Sequence, residues 1–146
     1  MKPQVIFRGI SAFLLILGAS TFTTGAHAEV VVIVSAKSHI TSITAEQTAR
    51  IFLGKTSEFP DDSDAEPIDQ PIGSEIRDEF YDKVVHKNPS QVSAYWAKII
   101  FTGDGSPPET LDGNTAVRRA VSSNPNAIGY IDKSAVNRSV RVILTP

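Results

Sequence analysis

Apolar and polar positions follow two different rhythms along the chain. Residues Glu29 to Ala36, EVVVIVSA, form one unbroken β-branched run, the pattern of a strand covered on both faces, as parallel sheets demand. ITAEQTARIFLGK, residues 43–55, switches to helical spacing, with Thr44 as N-cap, Gln47 at capping-box distance and Gly54 placed to end the helix. From Ser74 onward, Ile76, Phe80, Tyr81, Val84 and Val85 make an apolar stripe, and Glu79 with Lys83 forms an i, i+4 pair in the favourable orientation. Asn88 caps a further helix with Pro89 at its first position, where Val92, Tyr95, Trp96, Ile99 and Ile100 share a face. TAVRRAVSSNPN reads as a short helix stopped at Asn124-Pro125, and PIDQP, AIGYID and SVRVILTP as strands. KTSEFPDDSDAE and TGDGSPPETLDGN are expected to be long loops. Strands alternating with helices predict an α/β domain around a mostly parallel or mixed sheet.

The amino terminus sets the compartment. Lys2 and Arg8 precede an apolar run, GISAFLLILGAS, and Ala26-His27-Ala28 offers small residues for cleavage, so residues 1–28 are expected to be a secretory signal peptide. Its apolar centre falls short of the roughly 20 residues that span a bilayer. The chain has no cysteine, which excludes disulfides and a cysteine-linked lipid anchor, and the expectation is a bacterial periplasmic protein that does not span the membrane. Residues 29–146 leave 146 − 28 = 118 residues, enough for one domain. Lys2 and Arg8 are the only charges removed, so the remaining formal charge is 12 − 16 = −4. That argues against nucleic acid as a partner. It also provides no long-range attraction for anions, so an anion site must work through local geometry.

Catalytic patterns are missing from the sequence: it has no nucleophile elbow, Walker loop, dinucleotide fingerprint or His-Glu-x-x-His motif. No catalytic residue, metal ligand or cofactor is assigned. His27 leaves with the signal peptide, His39 leads out of the first strand, and His86 sits at a helix end, where it complements the dipole. Arg118 and Arg119 are adjacent on a helix and point in different directions. The stretch that invites chemistry is PIGSEIRDEF, residues 71–80, a turn running into a helix through a glycine and a hydroxyl. A helix start exposes about four unpaired N–H groups and roughly half a positive charge, which suits an oxyanion.

Three blocks, TARIFLGKTSEFPDD, GSEIRDEF and NPNAIGYID, in this order and at these separations, resemble the second lobe of periplasmic phosphate-binding proteins of the PstS type, within the type 2 periplasmic-binding-protein superfamily. The resemblance covers roughly Val30 to Val142. It implies a single-lobe α/β fold with helices on both faces of the sheet. In that family an Arg-x-Asp-Gly-Ser-Gly-Thr run leads into the helix and holds phosphate. Laid onto this chain, its first glycine and its serine fall on Gly73 and Ser74, whereas Gln70, Ile72, Glu75 and Ile76 stand where the arginine, aspartate, second glycine and threonine would be. A bidentate cationic donor is thus exchanged for a neutral amide. Arg77, within the first turn, can fold back over the helix end or pair with acidic side chains on the surface.

The resemblance implies a solute-binding-like protein, similar to the phosphate-binding component of an ABC transporter, that captures phosphate or a related small oxyanion at this helix start. The ligand-binding candidates are Gly73, Ser74, Glu75, Gln70 and Arg77, and an ABC permease is the implied partner. The alternative is a single-lobe interaction or sensory accessory module of the cell envelope with no small solute, whose former interlobe face binds another envelope protein. Trp96, Tyr95 and Phe101 are read as core or interlobe packing. Pairing of two copies stays open in both readings.

Overall fold

The structure is a computed structural model that describes residues 28–146; the expected signal peptide lies outside the described residues except for Ala28. The chain forms β1 (Val30–Ser35), α1 (Ala45–Phe52), β2 (Glu66–Asp69), α2 (Glu75–Phe80), α3 (Pro89–Thr102), β3 (Glu109–Thr110), α4 (Asn114–Ser123), β4 (Ala127–Asp132) and β5 (Val140–Leu144). The strands make one sheet in the order β3-β2-β4-β1-β5. β2 runs parallel to β3 and β4, and β1 runs antiparallel to β4 and β5. The sheet is mixed. The unbroken apolar run of β1 therefore reflects two covered faces rather than parallel neighbours. Val30, Val32 and Val34 pack with α1, α2 and α3, while Val31 and Ile33 pack with Val117 and Val121 of α4.

Local signals built the helices as the sequence predicts. Thr44 and Gln47 close a capping box at 3.1 and 3.0 Å, and Asn88 and Gln91 close a second at 2.9 Å each way. Gly54 follows α1 at φ +67, and a Cβ there would sit 3.3 Å from Trp96. The stripe from Ile76 to Val85 is buried throughout, but only its first part is α-helical: residues Tyr81–Val85 widen into a π-helical turn that ends at His86 with φ 57. Glu79 and Lys83 pair at 2.7 Å.

Two expectations change. In α3 Val92 and Trp96 are buried and Tyr95 and Ile99 pack half-buried against the core, but Ile100 is 57% and Phe101 92% exposed, so Ile100 leaves the predicted core face and Phe101 is not core. The second long loop contains β3, two residues that add to the edge of β2. Across the sheet, α4 lies so close to β4 that a Cβ on Gly129 would approach Val117 to 2.8 Å. Among the described residues no helix is long and apolar enough to cross a membrane.

Candidate functional site

The carboxyl ends of the parallel strands β3, β2 and β4 share one edge of the sheet, where α/β folds generally bind ligands. Leaving β2 at Asp69, the chain turns through residues 70–73 and starts α2; leaving β3 at Thr110, it turns through residues 111–113 and starts α4. Two helices thus begin side by side. Leu111 N–H donates to the Asp69 carbonyl at 3.0 Å. The Gln70 Nε2 amide donates to Asn114 Oδ1 at 3.2 Å, and Asp132 N–H donates to that same oxygen at 3.1 Å. Asn114 therefore ties the start of α4 to the ends of β2 and β4.

At α2, Gly73 takes φ +88 with no atom within 4 Å of its missing Cβ, so the turn requires glycine for its backbone rather than for space. Ser74 is the N-cap, its Oγ accepting from Arg77 N–H at 3.4 Å. At α4, the cap is Gly113 at φ 91, with no side-chain bond to the first N–H groups. Those donors are left for solvent or a ligand.

Beneath the two starts lies a buried polar cluster centred on Asp69. Its carboxylate accepts from Tyr81 Oη at 2.7 Å, from Tyr130 Oη, and from Gln70 N–H at 2.8 Å. The Arg77 Nε approaches Asp69 Oδ1 to 3.4 Å, and the guanidinium lies 4.7 Å above the Tyr81 ring. Nε is close enough for ion pairing but misaligned for a hydrogen bond, and it has no hydrogen-bond partner among the described residues. Tyr130 is held by stacking on Phe80 at 4.0 Å, and Phe80 in turn meets Phe52 at 4.7 Å. Burial first, and then the Asp69 charge, push both phenols above their ordinary range, so they stay protonated donors.

No protein-family model and no curated protein sequence matches the chain. Its fold does match solved structures. A structure from Clostridium perfringens, described as a phosphate ABC transporter substrate-binding protein with bound phosphate, aligns with a TM-score of 0.64 and 23% identity over 80% of this chain and 44% of that one. An ABC-type phosphate transport receptor from Vibrio cholerae gives 0.62 and 18% over 80% and 45%. PstS from Borrelia burgdorferi gives 0.59 and 18% over 80% and 46%. The fold is that of one lobe of these structures. This chain spans less than half the length of each of those proteins.

The lobe brings only some of the sequence candidates together. Gly73, Ser74 and Arg77 surround the start of α2, and Glu75 is exposed at its first helical position. Gln70 is buried, and its side-chain amide already donates to the Tyr130 carbonyl at 2.9 Å and to Asn114. Both amide hydrogens are in use, so Gln70 positions the lobe's two helix starts and has no donor left for a ligand. Arg77 is not the surface-paired residue of one expectation: it is 6% exposed and pairs inward with Asp69. Ile76 is core. Asp69, Tyr81, Tyr130, Gly113 and Asn114 were not singled out by the sequence reading. An acidic residue, Asp69, closing the short strand β2 and a phenol, Tyr130, inside the apolar run AIGYID were the available signals.

Proposed function

We propose that this lobe is a periplasmic solute-binding-like protein that captures phosphate or a related small oxyanion and works with an ABC permease, after export directed by residues 1–28. The observation that carries the reading is the shared edge: two helix starts, one of them with no side-chain cap, beside a buried guanidinium that is ion-paired to Asp69 but whose Nε has no hydrogen-bond partner among the described residues. Oriented N–H groups and two partial positive charges favour an anion there, and the edge is where this architecture binds ligands. The solved structures of the same fold are described as phosphate transport proteins, which supports that ligand class. Gly73, Ser74 and the first N–H groups of α2 and α4 form the cradle; Arg77 supplies charge from below, with Asp69 holding it in place. Glu75, exposed beside the cradle, opposes an anion and makes the affinity modest.

Amide chemical shifts test this directly. Titrating phosphate into the labelled protein should move the N–H signals of Glu75, Ile76, Asn114 and Thr115 together and saturably. Shifts at neither helix start contradict the reading.

One observation favours a second reading. Ile72, next to Gly73, is 76% exposed, an apolar side chain at the mouth of a site that two-lobed binders close with another domain. Covered by another envelope protein or by a second copy, this face is a docking surface with no solute. Sedimentation and pull-down with an Ile72→Asp variant separate the cases: a specific partner that the variant loses, in a protein that shows no phosphate shifts, supports docking.

A further inference from the structure

At the amino end of β2, away from the edge just described, lies an open pocket of about 430 Å³, within the usual range for small-molecule sites of roughly 300–1,000 Å³. Trp96, Ile51, Pro67, Pro107 and Pro108 give it apolar walls. Glu66 and Glu109 line it as well, and no lysine, arginine or histidine does.

Strand geometry puts the two carboxylates on one side. Ile68 pairs in register with Glu109 and alternates by two with Glu66, so all three side chains share the face on which Ile68 packs against α4. On that face α4 ends, with Ser123 and Asn124 at the pocket wall and no basic residue in its last turn. Its carbonyl end adds roughly half a negative charge. Asn124 Nδ2 donates to Glu66 Oε2 at 2.7 Å, which fixes that carboxylate without neutralising it. Neither Glu66 nor Glu109 takes part in an ion pair among the described residues. Two unpaired carboxylates and a helix carboxyl end therefore line one side of the hollow, and its aromatic wall, Trp96 with Ile51, comes from the opposite face of the sheet around the amino end of β2.

We propose that this pocket binds a small organic cation, an amine or guanidinium carried on an apolar body. The hydrocarbon part replaces water against Trp96 and the prolines, and the cationic head sits toward Glu66, Glu109 and the end of α4. The site is independent of the oxyanion cradle in position and in the sign of its charge.

Trp96 is the single tryptophan of the chain, so its fluorescence reports on this pocket. Hexylamine should change the emission saturably, whereas hexanol and hexanoate at equal concentration should need far higher levels. The double variant Glu66→Gln/Glu109→Gln, at exposed positions, should keep the melting temperature and bind hexylamine about tenfold more weakly. Added salt should weaken the wild type more than the double variant. Equal titrations by amine, alcohol and acid overturn the proposal, as do an unchanged double variant or the absence of a saturable signal.

Discussion

Replacing Asp69 by asparagine tests the buried cluster more severely than any surface change. The carboxylate and Arg77 have side chains only 5% and 7% exposed, so solvent does little to screen them. Asparagine keeps the shape but offers one acceptor oxygen where the carboxylate accepts from Tyr81, Tyr130 and Gln70 N–H. It also leaves the Arg77 charge buried without a counterion, and breaking such a pair from one side costs about 3–5 kcal/mol. For a domain of this size that corresponds to a fall of about 10–20 °C in melting temperature. Urea unfolding followed by Trp96 fluorescence measures the loss at the unchanged slope expected of a two-state domain. The double variant Asp69→Asn/Arg77→Met removes the orphaned charge as well and should recover about 1–3 kcal/mol relative to Asp69→Asn alone, a coupling typical of contacting residues. A cost below about 1 kcal/mol for Asp69→Asn, or a double variant whose losses simply add, would refute the claim that the pair is buried and mutually compensating.

The other expectations concern pH, packing and capping. Tyr81 and Tyr130 have folded pKa values raised above the unfolded value of about 10; above that pH the unfolded chain loses protons that the folded one keeps, so stability is intact below about pH 10 and falls by up to about 2.7 kcal/mol per further unit. Urea midpoints from pH 8 to 11 check the sign, and stability rising over that range contradicts it. Gly129→Ala should cost about 1–3 kcal/mol by driving a methyl into Val117 and Val121, read as a lowered urea midpoint. Ser74→Ala should cost about 0.5–1 kcal/mol as a lost cap with a long bond, while weakening phosphate binding by a larger free energy; equal losses mean that the serine only caps.

Much of the scaffold was legible because its signals are local. The Thr44–Gln47 capping box, the Asn88 cap with its Pro89 start, the stop at Asn124-Pro125 and the β1 run each depend on a few consecutive residues, and each is where the sequence puts it. The direction of β1 was not legible, since coverage of both faces gives the same unbroken run in parallel and antiparallel neighbours. β3 escaped because two paired residues beside Pro107 and Pro108 carry no periodicity. The π-helical turn escaped because the stripe from Ile76 to Val85 is compatible with either helix, and Tyr81–Val85 take the wider one. At the site, Gly73 and Ser74 were readable as a helix start, but Arg77 turns inward to Asp69 across the turn that precedes α2, and the role of Gln70 depends on partners far along the chain. Gln70 meets Tyr130 and Asn114, 60 and 44 residues away. The register of the sheet brings them together, and no local spacing announces it.

The central claim is that the shared edge of this lobe binds an oxyanion, and isothermal titration of residues 29–146 with phosphate and with sulfate tests it most directly. The account predicts saturable heat with at least one of the two anions, weakened in Arg77→Lys, where a point charge replaces the planar fork. No heat with either anion at millimolar concentration, from protein shown to be folded by its cooperative urea transition, would contradict it.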